Sequence, residues 1–93
     1  MIYAVDLDGT LCYEMKDWKD YKIAPPIYPN INKSNKLFNE GHIIVIYTAR
    51  PITDIYVTRS WLKKHSVKYH KLIMDKFRAD WYIDNNSMKM EDL

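Results

Sequence analysis

Residues 2–10 read Ile2-Tyr3-Ala4-Val5-Asp6-Leu7-Asp8-Gly9-Thr10, and this stretch decides how the rest of the chain is interpreted. An apolar run that ends in a glycine turn predicts a buried strand of a parallel sheet. The carboxylates of Asp6 and Asp8 emerge together where that strand ends, at the edge where open α/β sheets bind ligands. A nucleophilic carboxylate beside a second one, in a site that can hold Mg2+, suits attack on a phosphoryl group. A phosphate-transfer site is therefore the first hypothesis.

Length and charge limit the class of protein. The 93 residues predict one small domain, 1–93. Fourteen Lys and Arg against twelve Asp and Glu leave a formal charge of +2, too balanced for the clustered basic face of a nucleic-acid-binding protein. No apolar run approaches a membrane span, and no leader is visible at the N-terminus. With Cys12 as the one cysteine, a reducing compartment is favoured, and a cytoplasmic protein without a membrane partner is expected.

Strands and helices alternate along the chain, which predicts an α/β fold with parallel strands joined by right-handed crossovers. One helix is predicted from Asn30 to Gly41 and a second from Ile52 to His65. The run 43–46 is apolar at every position, which predicts a central strand covered by helices on both faces. The four strand-like runs are Ile2–Val5, Ile43–Tyr47, Leu72–Met74 and Trp81–Ile83.

Two regions allow more than one interpretation. Residues 11–28 alternate aromatic and charged side chains and predict a loop or short hairpin over the end of the first strand, and no helix. The aromatic residues Tyr13, Trp18 and Tyr21 either stack on a substrate or pack this loop down. Trp61 lies off the main apolar face of the second helix, so it either packs within the chain or faces a partner.

Four sets of residues with suitable chemistry fall at the predicted carboxyl edge of one sheet. They are the Asp6/Asp8 pair after the first strand, Thr48 after the second, Lys76 after the third and Asp84-Asn85 after the fourth. Carboxylates suit Mg2+, a hydroxyl and backbone N–H groups suit phosphate oxygens, and a lysine balances charge. Each feature alone also has an ordinary structural explanation, as a turn, a helix cap or a surface lysine. One shared pocket is the hypothesis that explains all of them.

Taken in order, these residues resemble the four motifs of the haloacid-dehalogenase (HAD) superfamily of phosphohydrolases, over nearly the whole chain. The pentapeptide 6–10 matches the first motif, Thr48 the second, Lys76 the third and Asp84 the fourth. The stretches 47–50, 67–72 and 79–84 are similar to small capless members associated with capsule and surface-polysaccharide biosynthesis. The resemblance implies a capless, three-layer, Rossmann-like HAD core whose small parallel sheet has the strand order 3-2-1-4.

The resemblance also implies a role for each matched position. Asp6 would be the nucleophile that forms an aspartyl-phosphate, and Asp8 would be the general acid and base. Mg2+ would be held by the carboxylates of Asp6 and Asp84 and by the backbone carbonyl of Asp8. The groups that would bind the phosphate are the Thr48 hydroxyl, the Ala49 N–H and the Lys76 ammonium.

Three positions modify this picture. Asn85 stands where relatives usually carry a second acid, which removes a negative charge near the metal and predicts weaker Mg2+ binding. Asp75 stands where relatives tend to have glycine, and its carboxylate is expected to pair with Lys76 and divert it from phosphate. Arg50 either contacts the substrate or forms a salt bridge.

The expected function is that of a Mg2+-dependent phosphomonoesterase acting on a small phosphorylated metabolite, with a sugar phosphate as one candidate. The alternatives are a nucleotide or nucleic-acid-end phosphatase, and a weakly active or non-catalytic phosphate-binding module. Nucleic acid is the less favoured partner because the charge is nearly balanced. A homodimer stays open, since a second copy would supply a wall to a pocket without a cap.

Overall fold

The computed structural model describes residues 1–93, with the side chain of Trp18 left out of the description. Three parallel strands, β1 (Ile2–Val5), β2 (Ile43–Tyr47) and β3 (Lys71–Ile73), form one sheet in the order β1-β2-β3. The helices α1 (Tyr28–Asn39) and α2 (Ile55–Lys64) connect them. The predicted α/β fold is confirmed, and the first three strands lie in the predicted order.

The register of the strands puts the core on one face of the sheet. Tyr3 lies beside Ile44 and Val5 beside Ile46, and Ile46 in turn lies beside Leu72. Ile44 and Ile46 are completely buried, and both helices contribute side chains to the same core through Ile31, Trp61 and Leu62. Two right-handed crossovers that move in the same direction across a sheet place both helices on the same side.

The opposite face of the sheet is exposed, so the predicted three-layer arrangement is wrong for this structure. Ile2 is 71% exposed and Ile43 is 45% exposed, although both belong to strands. The apolar run 43–46 misled the sequence interpretation because its members alternate between the buried and the exposed face. The structure is a two-layer α/β fold with an apolar sheet surface open to water.

The predicted fourth strand is not formed, and the order 3-2-1-4 is therefore not shown. Residues 81–83 do not pair with any strand, and Trp81 and Ile83 are 85% and 99% exposed. Only residues 74–80 separate this segment from β3, whereas parallel strands usually need a connection of about a dozen residues or more. The outer edge of β1 consequently has no strand beside it.

Residues 11–27 form the hairpin-like loop that was predicted, but with a helix inside it. The Tyr13 N–H donates to the Pro25 carbonyl at 2.9 Å, and the Ile27 N–H donates to the Leu11 carbonyl at 2.8 Å. Between these bonds the chain forms a 3-10 helix, Trp18–Ile23. The Asp17 carboxylate caps this helix by accepting from the Lys19 N–H at 3.0 Å. The prediction of no helix was wrong here because a six-residue 3-10 helix is too short to show a periodic pattern.

Both helices begin away from their predicted starts. α1 starts at Tyr28, two residues early, because Pro29 suits a first helical turn and the Asn30 side chain donates to the Thr10 carbonyl at 2.8 Å. α2 starts at Ile55, after a short 3-10 turn at Ile52–Asp54. No helix of the described chain has both the length and the apolar character that crossing a membrane requires.

Trp61 fastens the loop to the helical layer. Its indole N–H donates to the Ala24 carbonyl at 2.8 Å, and the side chain is 1% exposed. Of the two interpretations of Trp61, packing within the chain is confirmed and the partner-facing one is wrong. Tyr21 is 8% exposed and packs its ring against the guanidinium of Arg50, as expected for a residue that holds the loop down. Tyr13, in contrast, is 59% exposed. The proposed stacking role of the Trp18 side chain lies outside the described residues.

Replacing Trp61 with alanine is expected to lower the free energy of unfolding by about 3–5 kcal/mol, because a cavity forms and the Ala24 carbonyl loses its donor. Urea denaturation followed by circular dichroism measures the change. Tyr56→Ala is the matched control on the same helix, since Tyr56 is 79% exposed, and it should change stability by no more than about 0.5 kcal/mol. Equal effects of the two variants would contradict this view of the core.

Candidate active site

The loop after β1 folds tightly around one carbonyl. The carbonyl oxygen of Leu7 accepts from the N–H groups of Thr10, Leu11 and Cys12 at 3.1, 2.8 and 3.2 Å. Gly9 has φ +84°, a conformation that glycine adopts without steric cost. The chain thus turns back at once, and Asp6 and Asp8 are left at the carboxyl edge of the sheet.

The structure brings Asp6, Asp8, Thr48 and Ala49 together around one cavity of about 520 Å³. Thr48 and Ala49 directly follow β2, which pairs with β1, so neighbouring strand ends supply these four residues. The other residues that line the cavity are Glu14, Met15, Tyr21, Arg78, Ala79, Asp80 and Tyr82.

Lys76 stands beside this cavity. Its backbone N–H donates to the Thr48 carbonyl at 2.9 Å, which ties it to the end of β2. Its ammonium lies 4.4 Å from the ring centroid of Tyr82 and 5.1 Å from that of Tyr47. Burial raises the pKa of Asp6, and the positive charge of Lys76 is near enough to oppose part of that rise.

Asp75 does not pair with Lys76, and that expectation was wrong. The Asp75 carboxylate accepts from the Ile52 N–H, with both oxygens at 3.3 Å. Asp75 has φ +61°, in the left-handed region where a non-glycine residue is uncommon. Its own N–H donates to the Arg50 carbonyl at 2.9 Å, which helps to hold this conformation.

Arg50 is completely buried and donates two hydrogen bonds to the carboxylate of Asp8. Its Nε donates to Oδ2 at 2.9 Å and its Nη2 to Oδ1 at 2.7 Å. Its Nη1 donates to the Thr58 hydroxyl at 3.1 Å, and the guanidinium lies 3.9 Å from the ring centroid of Tyr21. Of the two roles left open for Arg50, the structure shows the salt bridge. Such a two-bond pair fixes the carboxylate in orientation as well as in position.

Cys12 adds a third contact to Asp8. The buried thiol donates to Oδ1 of Asp8 at 3.5 Å and to the Leu7 carbonyl at 3.8 Å. Burial, reinforced by the charge of Asp8, raises the pKa of the thiol to about 12. Because the thiolate is the reactive form, Cys12 acts here as a buried hydrogen-bond donor and not as a nucleophile.

Asp6 is in a different environment from Asp8. One of its oxygens accepts from the Leu7 N–H at 2.9 Å, and no described arginine or lysine forms a salt bridge with it. Burial raises the pKa of Asp6, and the charges of Asp8 and Glu14 add to that rise, while the Leu7 bond and Lys76 oppose it. The two carboxylates of one cavity thus have different environments, one desolvated and the other paired with a buried arginine, and such a difference is typical of separate catalytic roles.

Asp84 and Asn85 do not line the cavity. The Asp84 carboxylate accepts from the Asn86 N–H at 3.1 Å in an exposed turn, and Asp80, four residues earlier, lines the cavity instead. The predicted placement of Asp84 beside Asp6 is not found, because Trp81–Ile83 does not pair with β1.

The oxygen donors in the cavity are of the type that Mg2+ takes, but they are too few where they stand. Among the described residues no three His, Cys, Asp or Glu side chains gather closely enough to hold a metal ion. Both oxygens of Asp8 are engaged by Arg50, which leaves Asp6, Glu14 and Asp80 as the acids of the cavity without a described ion pair. A second carboxylate beside Asp6 would have to come from Glu14 or from the segment 80–84.

Sequence reasoning did not assign the charged residues Glu14, Arg78 and Asp80 to the cavity, and it left open whether Tyr21 contacts the substrate. Tyr21 and Glu14 belong to the loop 11–27, whose folding over the strand end was predicted without its individual contacts. Asp80 and Arg78 follow Lys76 closely in the chain, and that proximity to a predicted site residue was the available signal.

Comparisons with known proteins support the fold. The chain is similar to the crystal structure of an MCSG target from Vibrio cholerae, with 27% sequence identity, a TM-score of 0.83, and coverage of 98% of this chain and 85% of that one. A chain of a Pnkp1/Rnl/Hen1 complex is 22% identical with a TM-score of 0.68, covering 92% of this chain. This chain spans 31% of the length of that second protein, and the likeness concerns the fold alone. No family model matches the chain, and no curated protein matches it.

Replacing Arg50 with methionine is expected to lower the free energy of unfolding by about 3–5 kcal/mol, because Asp8 loses its counter-charge beside a buried core. The double variant Asp8→Leu/Arg50→Met should recover part of this loss, since no uncompensated charge remains. Urea denaturation at neutral pH measures both. Arg59→Met, at an exposed position of α2, is the control and should be nearly neutral. A near-neutral Arg50→Met would overturn the central role of this ion pair.

Asp6→Asn is expected to stabilise the protein at neutral pH in metal-free buffer. A carboxyl group whose pKa is raised on folding contributes stability below its unfolded pKa, and this contribution is lost as the pH rises through the folded pKa. Ionised Asp6 therefore opposes folding at neutral pH, and asparagine removes that charge. Thermal unfolding from pH 3 to pH 8 should show a gain at pH 8 that vanishes towards pH 3. A gain of equal size at every pH would rule out titration of Asp6 as the cause.

Proposed function

We propose that the protein is a phosphomonoesterase of the HAD type that forms an aspartyl-phosphate on Asp6. The supporting observation is the pair of carboxylates in one cavity, one desolvated and without a salt bridge, the other locked on a buried arginine. The order of the motifs along the chain and the fold shared with the Vibrio cholerae structure are consistent with the proposal.

The proposed reaction has two steps. An oxygen of Asp6 attacks phosphorus and forms the aspartyl-phosphate, while the leaving oxygen takes a proton from the carboxyl group of Asp8. Water then attacks the phosphorus, Asp8 takes a proton from that water, and the bond to Asp6 breaks to release inorganic phosphate. For Asp8 to carry the transferred proton, one of its two bonds to Arg50 must open. The other bond then keeps the carboxyl group directed towards the cavity.

The end of β2 supplies the proposed phosphate contacts. The Thr48 hydroxyl accepts from the Arg50 N–H at 3.2 Å, which leaves its own hydrogen to donate to a phosphate oxygen. The N–H of Ala49 lies at the same strand end. Lys76 lies beside the cavity and offsets the repulsion between Asp6 and an incoming phosphate.

We further propose that Mg2+ binds at Asp6 with one carboxylate of the segment 80–84 and with the backbone carbonyl of Asp8. The ion would supply positive charge to the phosphoryl oxygens. For Asp84 to be that carboxylate, Trp81–Ile83 would add to the free edge of β1 and give the sheet order 3-2-1-4. Residues 74–80, at roughly 3.3 Å each when extended, exceed three strand spacings of about 4.8 Å, but this connection is shorter than the one that usually joins parallel strands, so the segment would have to be almost fully extended. Asp80 needs no such rearrangement.

The proposed substrate is a small phosphomonoester, and a sugar phosphate of polysaccharide biosynthesis is the candidate that the resemblance favours. A cytoplasmic location and a homodimer stay predictions. The exposed apolar face of the sheet, with Ile2 and Ile43, is the surface that a second copy of the chain would cover.

A second candidate is a phosphate-binding module without catalysis. The observation in its favour is the exposed turn that holds Asp84 away from the cavity. The acid that corresponds to the fourth motif is therefore not beside Asp6, where it would help to bind Mg2+. This candidate predicts phosphate binding without turnover.

The function is tested with p-nitrophenyl phosphate in the presence and absence of Mg2+. Wild type should release phosphate only with Mg2+, and Asp6→Asn should lower kcat by a factor of about 10⁴ or more, because the nucleophile is lost. Asp20→Asn, on the 3-10 helix and outside the cavity lining, is the matched control.

Two further variants in the same assay identify the second carboxylate. If Asp84 joins Asp6, Asp84→Asn should raise the Mg2+ concentration for half-maximal rate while Asp80→Asn does not, and the reverse result assigns Asp80. Phosphate binding without any turnover by wild type would replace the enzyme with the binding module.

A further inference from the structure

A second groove of about 650 Å³ adjoins the Asp6 cavity. Tyr21 and Arg78 line both, so the two hollows share a wall. The remaining residues of the groove are Lys16, Pro51, Thr53 and Asp54. If the phosphate of a ligand lies beside Asp6, the remainder of the ligand can therefore lie in the adjoining groove.

The shared wall is fixed with respect to the catalytic acid. Tyr21 is 8% exposed and stacks on the guanidinium of Arg50, whose carbon lies 3.9 Å from the ring centroid. The same guanidinium holds both oxygens of Asp8. One buried cation thus sets the position of Asp8 and of the ring between the two hollows, so the groove is preorganised for the leaving-group side of a substrate.

The groove and the cavity differ in charge. Four acids line the Asp6 cavity, namely Asp6, Asp8, Glu14 and Asp80, against the single base Arg78. The groove has two bases, Lys16 and Arg78, against the single acid Asp54. Both bases are exposed, and among the side chains that the structure describes neither of them forms an ion pair. Two free cations and the Thr53 hydroxyl face the same hollow, which suits an anionic group.

We propose that the substrate is a phosphomonoester whose leaving group carries a second phosphate, and that Lys16 and Arg78 bind this second phosphate in the groove. This inference rests on the proposed function and names its substrate class. A monophosphate with a neutral leaving group would leave both cations without a partner. Nucleoside bisphosphates and sugar bisphosphates share the required chemistry, and the experiment separates them.

The test compares matched pairs of substrates: adenosine 3′,5′-bisphosphate against adenosine 5′-monophosphate, and fructose 1,6-bisphosphate against fructose 6-phosphate. Wild type should prefer the bisphosphate of at least one pair by about tenfold in kcat/KM, the size expected for one charge-assisted contact. The pair with the larger preference identifies the source. Lys16→Gln and Arg78→Gln should each reduce the preference towards one, with the loss mainly in KM.

Lys22→Gln is the control, because Lys22 is an exposed lysine of the 3-10 helix that lines neither hollow. It should keep the full preference. Equal kcat/KM for both members of each pair, or a preference that survives Lys16→Gln, would overturn the inference.

A binding measurement separates this inference from the proposed function. Calorimetric titration of Asp6→Asn should show about tenfold tighter binding of a bisphosphate than of its monophosphate, with the difference lost on adding Lys16→Gln. If wild type hydrolyses no phosphomonoester, the proposed function fails and this titration alone decides the groove. Equal affinities would then overturn the inference as well.

Discussion

The buried pair between Arg50 and Asp8 is the interaction on which the rest of the site depends. Arg50 is completely buried, and such a cation is tolerated only when its donors are satisfied. Here two donors go to Asp8, one goes to the Thr58 hydroxyl, and the face of the guanidinium stacks on Tyr21. The strand end, α2 and the loop 11–27 therefore meet at one side chain. A carboxylate held this way cannot turn away from the cavity, whereas Asp6 keeps a free oxygen for chemistry.

The one-sided sheet explains why the walls of the site come from loops. Both crossovers run in the same direction, so α1 and α2 cover the same face and build one core. Among the described residues, no helix covers the opposite face of the sheet next to its carboxyl edge. The loop 11–27 instead encloses the site, fastened through the bond from Trp61 to the Ala24 carbonyl. The contacts that stabilise this loop therefore also determine the shape of the cavity.

The sequence predicted the parts of the structure that follow from local pattern. The bounds of β1 and β2, the crossovers and the position of the Asp6/Asp8 pair are all set by short apolar runs and a glycine turn. Residues whose environment depends on distant parts of the chain were not predicted. Nothing local distinguishes Ile43, which is exposed, from Ile44, which is buried, because the difference arises from which face the helices cover. Arg50 is similar, since a cation after a strand is ordinarily a surface residue and only Asp8, Thr58 and Tyr21 together allow its burial.

The segment after β3 is where local pattern and structure disagree most. Its motif resembles a strand followed by an acid, yet Trp81 and Ile83 are exposed, and β1 has a free edge on the same sheet. Apolar side chains in water and an unpaired strand edge both carry a free-energy cost that pairing would remove. A ligand that binds only the paired form, as Mg2+ held by Asp6 and Asp84 would, stabilises that form by its binding energy. Metal affinity and completion of the sheet would then be one equilibrium, because the pairing that buries Ile83 is also the step that brings Asp84 to the cavity.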